Sequence, residues 1–143
     1  ITNQSGIGRG YFDRARLDLI HQRLEQLLEV QGVHLDGIYY CPHTLQDNCA
    51  CRKPGTDLLE SAARKLGFNP LDCFVVGDKP CDIEMGQQVG ARTFLVQTGY
   101  GAEVAEAGTA TPDHIVANLQ EAAEIIQQTF SAQAWKSVNE ARH

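Results

Sequence analysis

The 143-residue sequence predicts an α/β fold, a parallel sheet flanked by helices. Three observations carry this. Short β-branched or aromatic runs at residues 37–40, 73–76, 93–96 and 114–116 alternate with helical stretches, as βαβ units do. Cys73-Phe74-Val75-Val76 is apolar without a break and ends in Gly77-Asp78, which predicts a strand buried on both faces. With 43% hydrophobic and 21% charged residues, the length suits one core and is too apolar for disorder. A net charge of −6 excludes a phosphate-neutralising nucleic-acid surface. No apolar run approaches the roughly 18 residues of a membrane helix.

The elements follow in order. Ile1 leads into Thr2-Asn3-Gln4-Ser5-Gly6, which reads as the end of a strand turning into a loop. The chain is therefore expected to be the downstream part of a longer protein. Leu17, Ile20, Leu24, Leu27 and Leu28 recur at helical spacing, with Asp13 as N-cap and Gly32 as the stop. Residues 37–40 are a strand, and a Cys-, His- and Pro-rich loop follows to Gly55. Leu58, Leu59, Ala62, Ala63 and Leu66 mark a helix that ends at Gly67. A short helix over residues 82–89 stops at Gly90, and residues 97–112 read as a loop. Asn118 with Glu121 opens a capping-box helix through Thr129. Residues 1–130 form one domain without repeats, and 131–143 are a tail with little pattern.

Cys41, His43, Cys49 and Cys51 are spaced Cys-x-His-x5-Cys-x-Cys. Four soft ligands on one loop suit a closed, structural Zn²⁺ site. Incidental thiols and a disulfide are the alternatives, the latter disfavoured by an odd total of 5 Cys. Cys73 is expected in the core, and Cys81 beside an acidic pair. His21 is assigned to a helix surface, His34 to a loop and His114 to a strand start.

Ligands in open parallel sheets gather at the C-terminal strand ends. Asp78 stands at such an end with Asp82 four residues on, oxygen donors suited to Mg²⁺. Asp82 is also placed to act from behind the ion or as a helix cap. Arg52-Lys53-Pro54 offers two cations for a phosphate before a helix. Thr2, Asn3, Ser5 and Arg9, with the Gly6, Gly8 and Gly10 backbone, add further donors for phosphate oxygens.

In this order the pieces resemble the haloacid dehalogenase (HAD) superfamily of phosphatases, with a HAD-like, Rossmann-like sheet. Thr2 resembles that family's strand-end hydroxyl, Lys53 its conserved Lys, and Gly77-Asp78-Lys79-Pro80-Cys81-Asp82 its acidic cluster. The block from Cys41 to Pro54 is similar to a narrower zinc-loop branch that acts on heptose bisphosphates or on histidinol phosphate. The run Ser5-Gly6-Ile7-Gly8-Arg9-Gly10 and Asp36 to Tyr40 look more like the heptose side. The resemblance implies phosphoryl transfer to an Asp followed by hydrolysis. Mg²⁺ would be held partly by Asp78, with Thr2 and Lys53 on the phosphoryl oxygens and Arg52 on the substrate. It also implies a cytoplasmic monomer acting on a small sugar phosphate, without nucleic-acid or membrane partners. The family's Asp-x-Asp strand does not occur in these 143 residues. The first strand is therefore expected to lie outside the chain, and the chain alone to be inactive. A non-catalytic, zinc-containing phosphate-binding or interaction domain is the alternative.

Overall fold

The structure, a computed structural model, describes the backbone of residues 1–140 and the side chains of residues 1–130; the end of the expected tail lies outside the described residues. The chain divides into two compact units, with the boundary after Pro70.

The first unit contains β1 (Thr2–Asn3), α1 (Ser5–Gly8), α2 (Arg14–Glu29), β2 (Tyr40–Cys41), a 3-10 turn (Leu45–Asp47) and α3 (Asp57–Leu66). β1 and β2 are parallel, Thr2 opposite Tyr40 and Asn3 opposite Cys41. Thr2 N–H donates to the Tyr39 carbonyl at 2.9 Å and Gln4 N–H to the Cys41 carbonyl at 2.7 Å. The expected strand at residues 37–40 is regular only at its end, because its partner β1 is two residues long. Asp13 caps α2 by accepting from Arg16 N–H at 2.8 Å, and Gly32 takes φ 69° just past its end. Leu17 is buried, whereas Ile20, Leu24 and Leu27 of the same stripe are 41–51% exposed. α3 buries Leu59, Ala62 and Ala63, and left-handed Gly67 closes it.

The second unit contains β3 (Phe74–Gly77), α4 (Pro80–Gln88), β4 (Arg92–Val96), α5 (Gly101–Ala107), β5 (His114–Val116) and α6 (Leu119–Glu140). The strands form a parallel sheet in the order β3-β4-β5. Alternation along β4 sends Phe94 and Val96 into a cluster with Val116 and Ala122 of α6. Leu95 packs on the opposite face with Ile83 of α4 and Val104 of α5. Helices thus cover both faces, as a parallel sheet requires.

Four expectations are corrected. The strand buried along its length is β4, whose Thr93 to Val96 are all buried, while β3 is half-buried throughout. The reason is position: β4 has a neighbour on each side, and among the described residues β3 pairs with β4 alone. Cys73, just before β3, is accordingly half-buried, and its thiol is pushed up by that burial. Residues 97–112 hold α5, a helix whose only large apolar residue is Val104, so periodicity gives almost no signal. α6 opens as expected, Glu121 N–H donating to Asn118 Oδ1 at 3.1 Å and Ala117 N–H to Glu121 Oε2 at 2.6 Å. It continues past Thr129 to Glu140, since Ala- and Gln-rich sequence sustains a helix without an apolar stripe.

The loop before β5 is clamped to β4. Asp113 Oδ2 accepts from Thr93 N–H at 2.7 Å and from Thr93 Oγ1 at 2.8 Å, and Asp113 N–H donates back to Thr93 Oγ1 at 3.0 Å. The Thr93 backbone bond, then its hydroxyl, hold the Asp113 carboxyl below the usual range. A depressed carboxyl contributes stability above its unfolded value of about 3.9, which is lost as pH falls through the folded value. Asp113→Ala strands polar groups of Thr93, which is fully buried, and is expected to cost about 1–2 kcal/mol at pH 7. Thermal unfolding followed by circular dichroism should show that difference shrinking as pH drops below about 4.

Candidate functional site

The loop after β2 brings four soft donors together. Cys41 Sγ lies 3.5 Å from His43 Nδ1 and 3.5 Å from Cys49 Sγ. Cys51 Sγ lies 3.2 Å from His43 Nδ1, 3.3 Å from Cys41 Sγ and 3.4 Å from Cys49 Sγ. A tetrahedron with arms of about 2.3 Å has edges of about 3.8 Å. All four donors lie within 4.8 Å of one another, so the set fits one Zn²⁺ with modest expansion. Burial followed by its hydrogen bonds to Cys41 and Cys49 pushes the Cys51 thiol up to about 12. Burial opposes ionisation of Cys49 too, but bonds from Cys51 and Cys41 outweigh it and bring that thiol to about 7. Cys49 is thus the most readily ionised of the three thiols, and a bound cation would favour the thiolate form of all three.

The residues between His43 and Cys49 fold locally. Asp47 Oδ2 accepts from Thr44 N–H at 2.6 Å and Thr44 Oγ1 at 2.8 Å, closing the 3-10 turn, and Asn48 exits it at φ 45°. The turn uses up the five intervening residues and returns the chain to Cys49. Gly55 lets the far side of the loop close: a Cβ there would sit 2.0 Å from the Ala50 carbonyl oxygen.

Lys53 is tied to β1. Asn3 Oδ1 accepts from Lys53 N–H at 3.0 Å, and Asn3 Nδ2 donates to the Lys53 carbonyl at 3.2 Å. Lys53 Nζ donates to the Ile1 carbonyl at 2.9 Å. Thr2 Oγ1 accepts from Gln4 Nε2 at 3.3 Å. Arg52 donates from a terminal nitrogen to the His43 carbonyl at 3.2 Å, while its buried Nε has no partner among the described residues. Thr2, Asn3, Arg52 and Lys53 are therefore linked through β1 and the Cys/His loop. Ser5 opens α1, and Arg9 is exposed at its C-cap.

In the second unit Asp78 follows β3 directly, half-buried. Its Oδ2 accepts from Tyr100 N–H at 3.0 Å, and no hydrogen bond reaches Oδ1 from the described residues. Gly99, at φ 63°, permits this approach: a Cβ would lie 2.3 Å from Asp78 Oδ2. Asp82 is buried and accepts from Lys79 N–H at 3.2 Å, the cap of α4. Lys79 Nζ sits 4.3 Å from the centroid of the Tyr100 ring. Sequence reasoning did not single out Gly99 or Tyr100. The signal was available in Thr98-Gly99-Tyr100-Gly101, an aromatic between two glycines just past a strand. His21, placed by sequence on a helix surface, is half-buried against Tyr40 with ring centroids 5.7 Å apart.

A parallel sheet with a carboxylate at a strand end, and a basic Arg-Lys pair anchored to another strand, defines a class. A profile of the HAD-hydrolase-like family matches residues 50–122, and the chain belongs to the HAD-like hydrolases. Among its relatives are D-glycero-beta-D-manno-heptose-1,7-bisphosphate 7-phosphatases. That of Bordetella bronchiseptica is 37% identical over 128 residues, covering 89% of this chain and 72% of the relative. That of Neisseria meningitidis serogroup A is 37% identical over 114 residues, 79% of this chain and 61% of the relative. That of Pseudomonas putida is 41% identical over 107 residues, 75% of this chain and 61% of the relative. The chain thus spans about six-tenths of the length of the latter two. The crystal structure of the D,D-heptose 1,7-bisphosphate phosphatase from B. bronchiseptica, complexed with magnesium and phosphate, superposes with a TM-score of 0.82. It is 36% identical and covers 89% of this chain and 72% of that one. The Burkholderia thailandensis enzyme gives a TM-score of 0.60 at 30% identity, over 81% of this chain and 64% of that one.

Asn3→Ala removes both bonds to the Lys53 backbone. Urea unfolding of the chain is expected to show a loss of about 1–3 kcal/mol. Asn3→Asp, which keeps the acceptor and loses the donor, should cost less.

Proposed function

We propose that the chain serves the hydrolysis of D-glycero-D-manno-heptose 1,7-bisphosphate to the 1-phosphate, as part of a Mg²⁺-dependent phosphatase with a structural zinc. The observation that carries this is joint: heptose bisphosphatases at 37–41% identity, and four soft donors already gathered on one loop. The same relatives favour the heptose substrate over histidinol phosphate and over a purely binding role. The reading takes residues 1–130 as part of one phosphatase domain.

The attacking carboxylate is not assigned within these residues, which contain no Asp-x-Asp. What the chain supplies is binding and orientation. The Thr2 hydroxyl and the Lys53 ammonium would take phosphoryl oxygens while charge builds on them. Arg52, with Asn3, Ser5 and Arg9 in the same unit, would bind the substrate. Asp78 would hold Mg²⁺ through Oδ1, the oxygen left without a hydrogen bond by the Tyr100 contact. Mg²⁺ so bound neutralises phosphate charge and orients it. Asp82 would support this by fixing the turn into α4. Cys41, His43, Cys49 and Cys51 would hold Zn²⁺ away from the chemistry, since four protein ligands leave no open position. No described helix is long and apolar enough to cross a membrane. We place the enzyme in the cytoplasm as a monomer, supplying a heptose precursor of lipopolysaccharide.

Two measurements test this. Metal analysis of the purified chain should return about one Zn per chain, falling well below half in Cys51→Ser; a metal-free chain would overturn the zinc assignment. The 143-residue chain alone should release no phosphate. Fused behind the Asp-x-Asp segment of the Bordetella relative, it should hydrolyse the heptose bisphosphate in Mg²⁺ and prefer it to histidinol phosphate. Lys53→Ala in the fusion should lower kcat/KM by about 100-fold or more. A fusion with no turnover, or one indifferent to Lys53→Ala, would overturn the reading.

A further inference from the structure

Asp78 and Lys79 are adjacent and oppositely charged, yet they form no ion pair with each other. The carboxylate is turned to Tyr100 N–H at 3.0 Å, and the ammonium lies over the Tyr100 ring at 4.3 Å. Both contacts come from one residue. Tyr100 is 56% exposed, so it contributes little to the core. Lys79 is itself exposed. The lysine stem is flexible and its charge compact, so the ammonium is able to reach a neighbouring carboxylate. A cation over an aromatic face is held against that swing by electrostatic attraction to the ring.

We propose that Tyr100 is a positioning residue that keeps Lys79 off Asp78, so that the carboxylate stays open to a divalent cation and the ammonium to a phosphate. The inference rests on the cation role proposed above for Asp78, adds Lys79 to the candidate phosphate-binding groups, and concerns how these charges are kept available. The ring parks the ammonium while the backbone N–H fixes one carboxylate oxygen, and Gly99 makes room for that contact. Without the ring, Lys79 collapses onto Asp78 and competes with the metal for the same oxygens.

The test uses the 143-residue chain, with Mn²⁺ as the cation probe counted by electron paramagnetic resonance and inorganic phosphate followed by calorimetry. Tyr100→Leu keeps the backbone N–H and removes the ring. Mn²⁺ and phosphate affinities should each fall by about two- to five-fold, the worth of one exposed cation–π contact. Tyr100→Phe should restore both. In Tyr100→Leu with Lys79→Met no competing ammonium remains, so Mn²⁺ affinity should return to the wild-type level or above while phosphate affinity stays low. A Tyr100→Leu chain that binds as wild type does, or a Mn²⁺ loss that Lys79→Met does not reverse, would overturn the inference and leave the phosphatase reading standing. A wild-type chain that binds neither Mn²⁺ nor phosphate would overturn the inference too, while the phosphatase reading stands or falls with the fusion.

Discussion

The first unit depends on four donor atoms held within 4.8 Å of one another on a loop with almost no apolar side chains. Such a loop cannot bury enough surface to offset the entropy of ordering it. Local hydrogen bonds do part of the work: Asp47 to Thr44 closes the turn, and the glycine at 55 lets the loop fold back on Ala50. A structural zinc at such a set contributes apparent free energies of about 10–16 kcal/mol in small metal-folded domains. At this loop an interaction of that size would outweigh every other contact. Lys53 and Arg52 follow the last sulfur ligand directly, so their positions are inherited from the loop. Asn3 then ties that segment to β1.

The same device recurs at the strand ends of both units. A side chain or backbone amide engages the backbone or one atom of a candidate site residue. Asn3 grips the Lys53 backbone rather than its amine. Tyr100 grips one oxygen of Asp78. Asp82 grips Lys79 N–H, so a buried carboxylate serves as the α4 cap. A functional charge tethered through its ligating atom would be quenched, and one left untethered would lose rotamer freedom on binding. At Asp78 the tether takes Oδ2 and leaves Oδ1 without a hydrogen bond from the described residues, which avoids both costs. The Lys53 ammonium, by contrast, is itself engaged by the Ile1 carbonyl.

Most of the fold was legible because local chemistry and tertiary context agree in it. Asp13, Gly32, Gly67 and Asn118 cap the helices where their residue types predict. The Cys41, His43, Cys49 and Cys51 set was legible from spacing alone, since soft ligands seldom cluster by accident. What escaped depends on who neighbours whom. β3 reads as a doubly buried strand, but burial is set by sheet order, and among the described residues β3 has a neighbour, β4, on one side. α5 escaped because Ala and Glu make a helix by propensity and leave no stripe to detect. Tyr100 escaped for another reason: it touches Asp78 through its backbone, which carries no residue-type signal.

The apolar stripe of α2 shows the limit from the other side. Its periodicity is real and the helix forms, yet among its large residues Leu17 alone is buried while Ile20, Leu24 and Leu27 stay 41–51% exposed. Periodicity reports that a face can be covered, whereas coverage needs an element of matching shape. Burying three such residues is worth about 1.5–3 kcal/mol each when complete. A helix of sixteen residues that forgoes much of this gain leans on its cap, its Gly32 exit, the Leu17 contact and the packing of His21 on Tyr40. The stability of the first unit therefore concentrates at the two ends of its chain path: Leu17 and β1 near the start, and the Cys/His loop with α3 near the end.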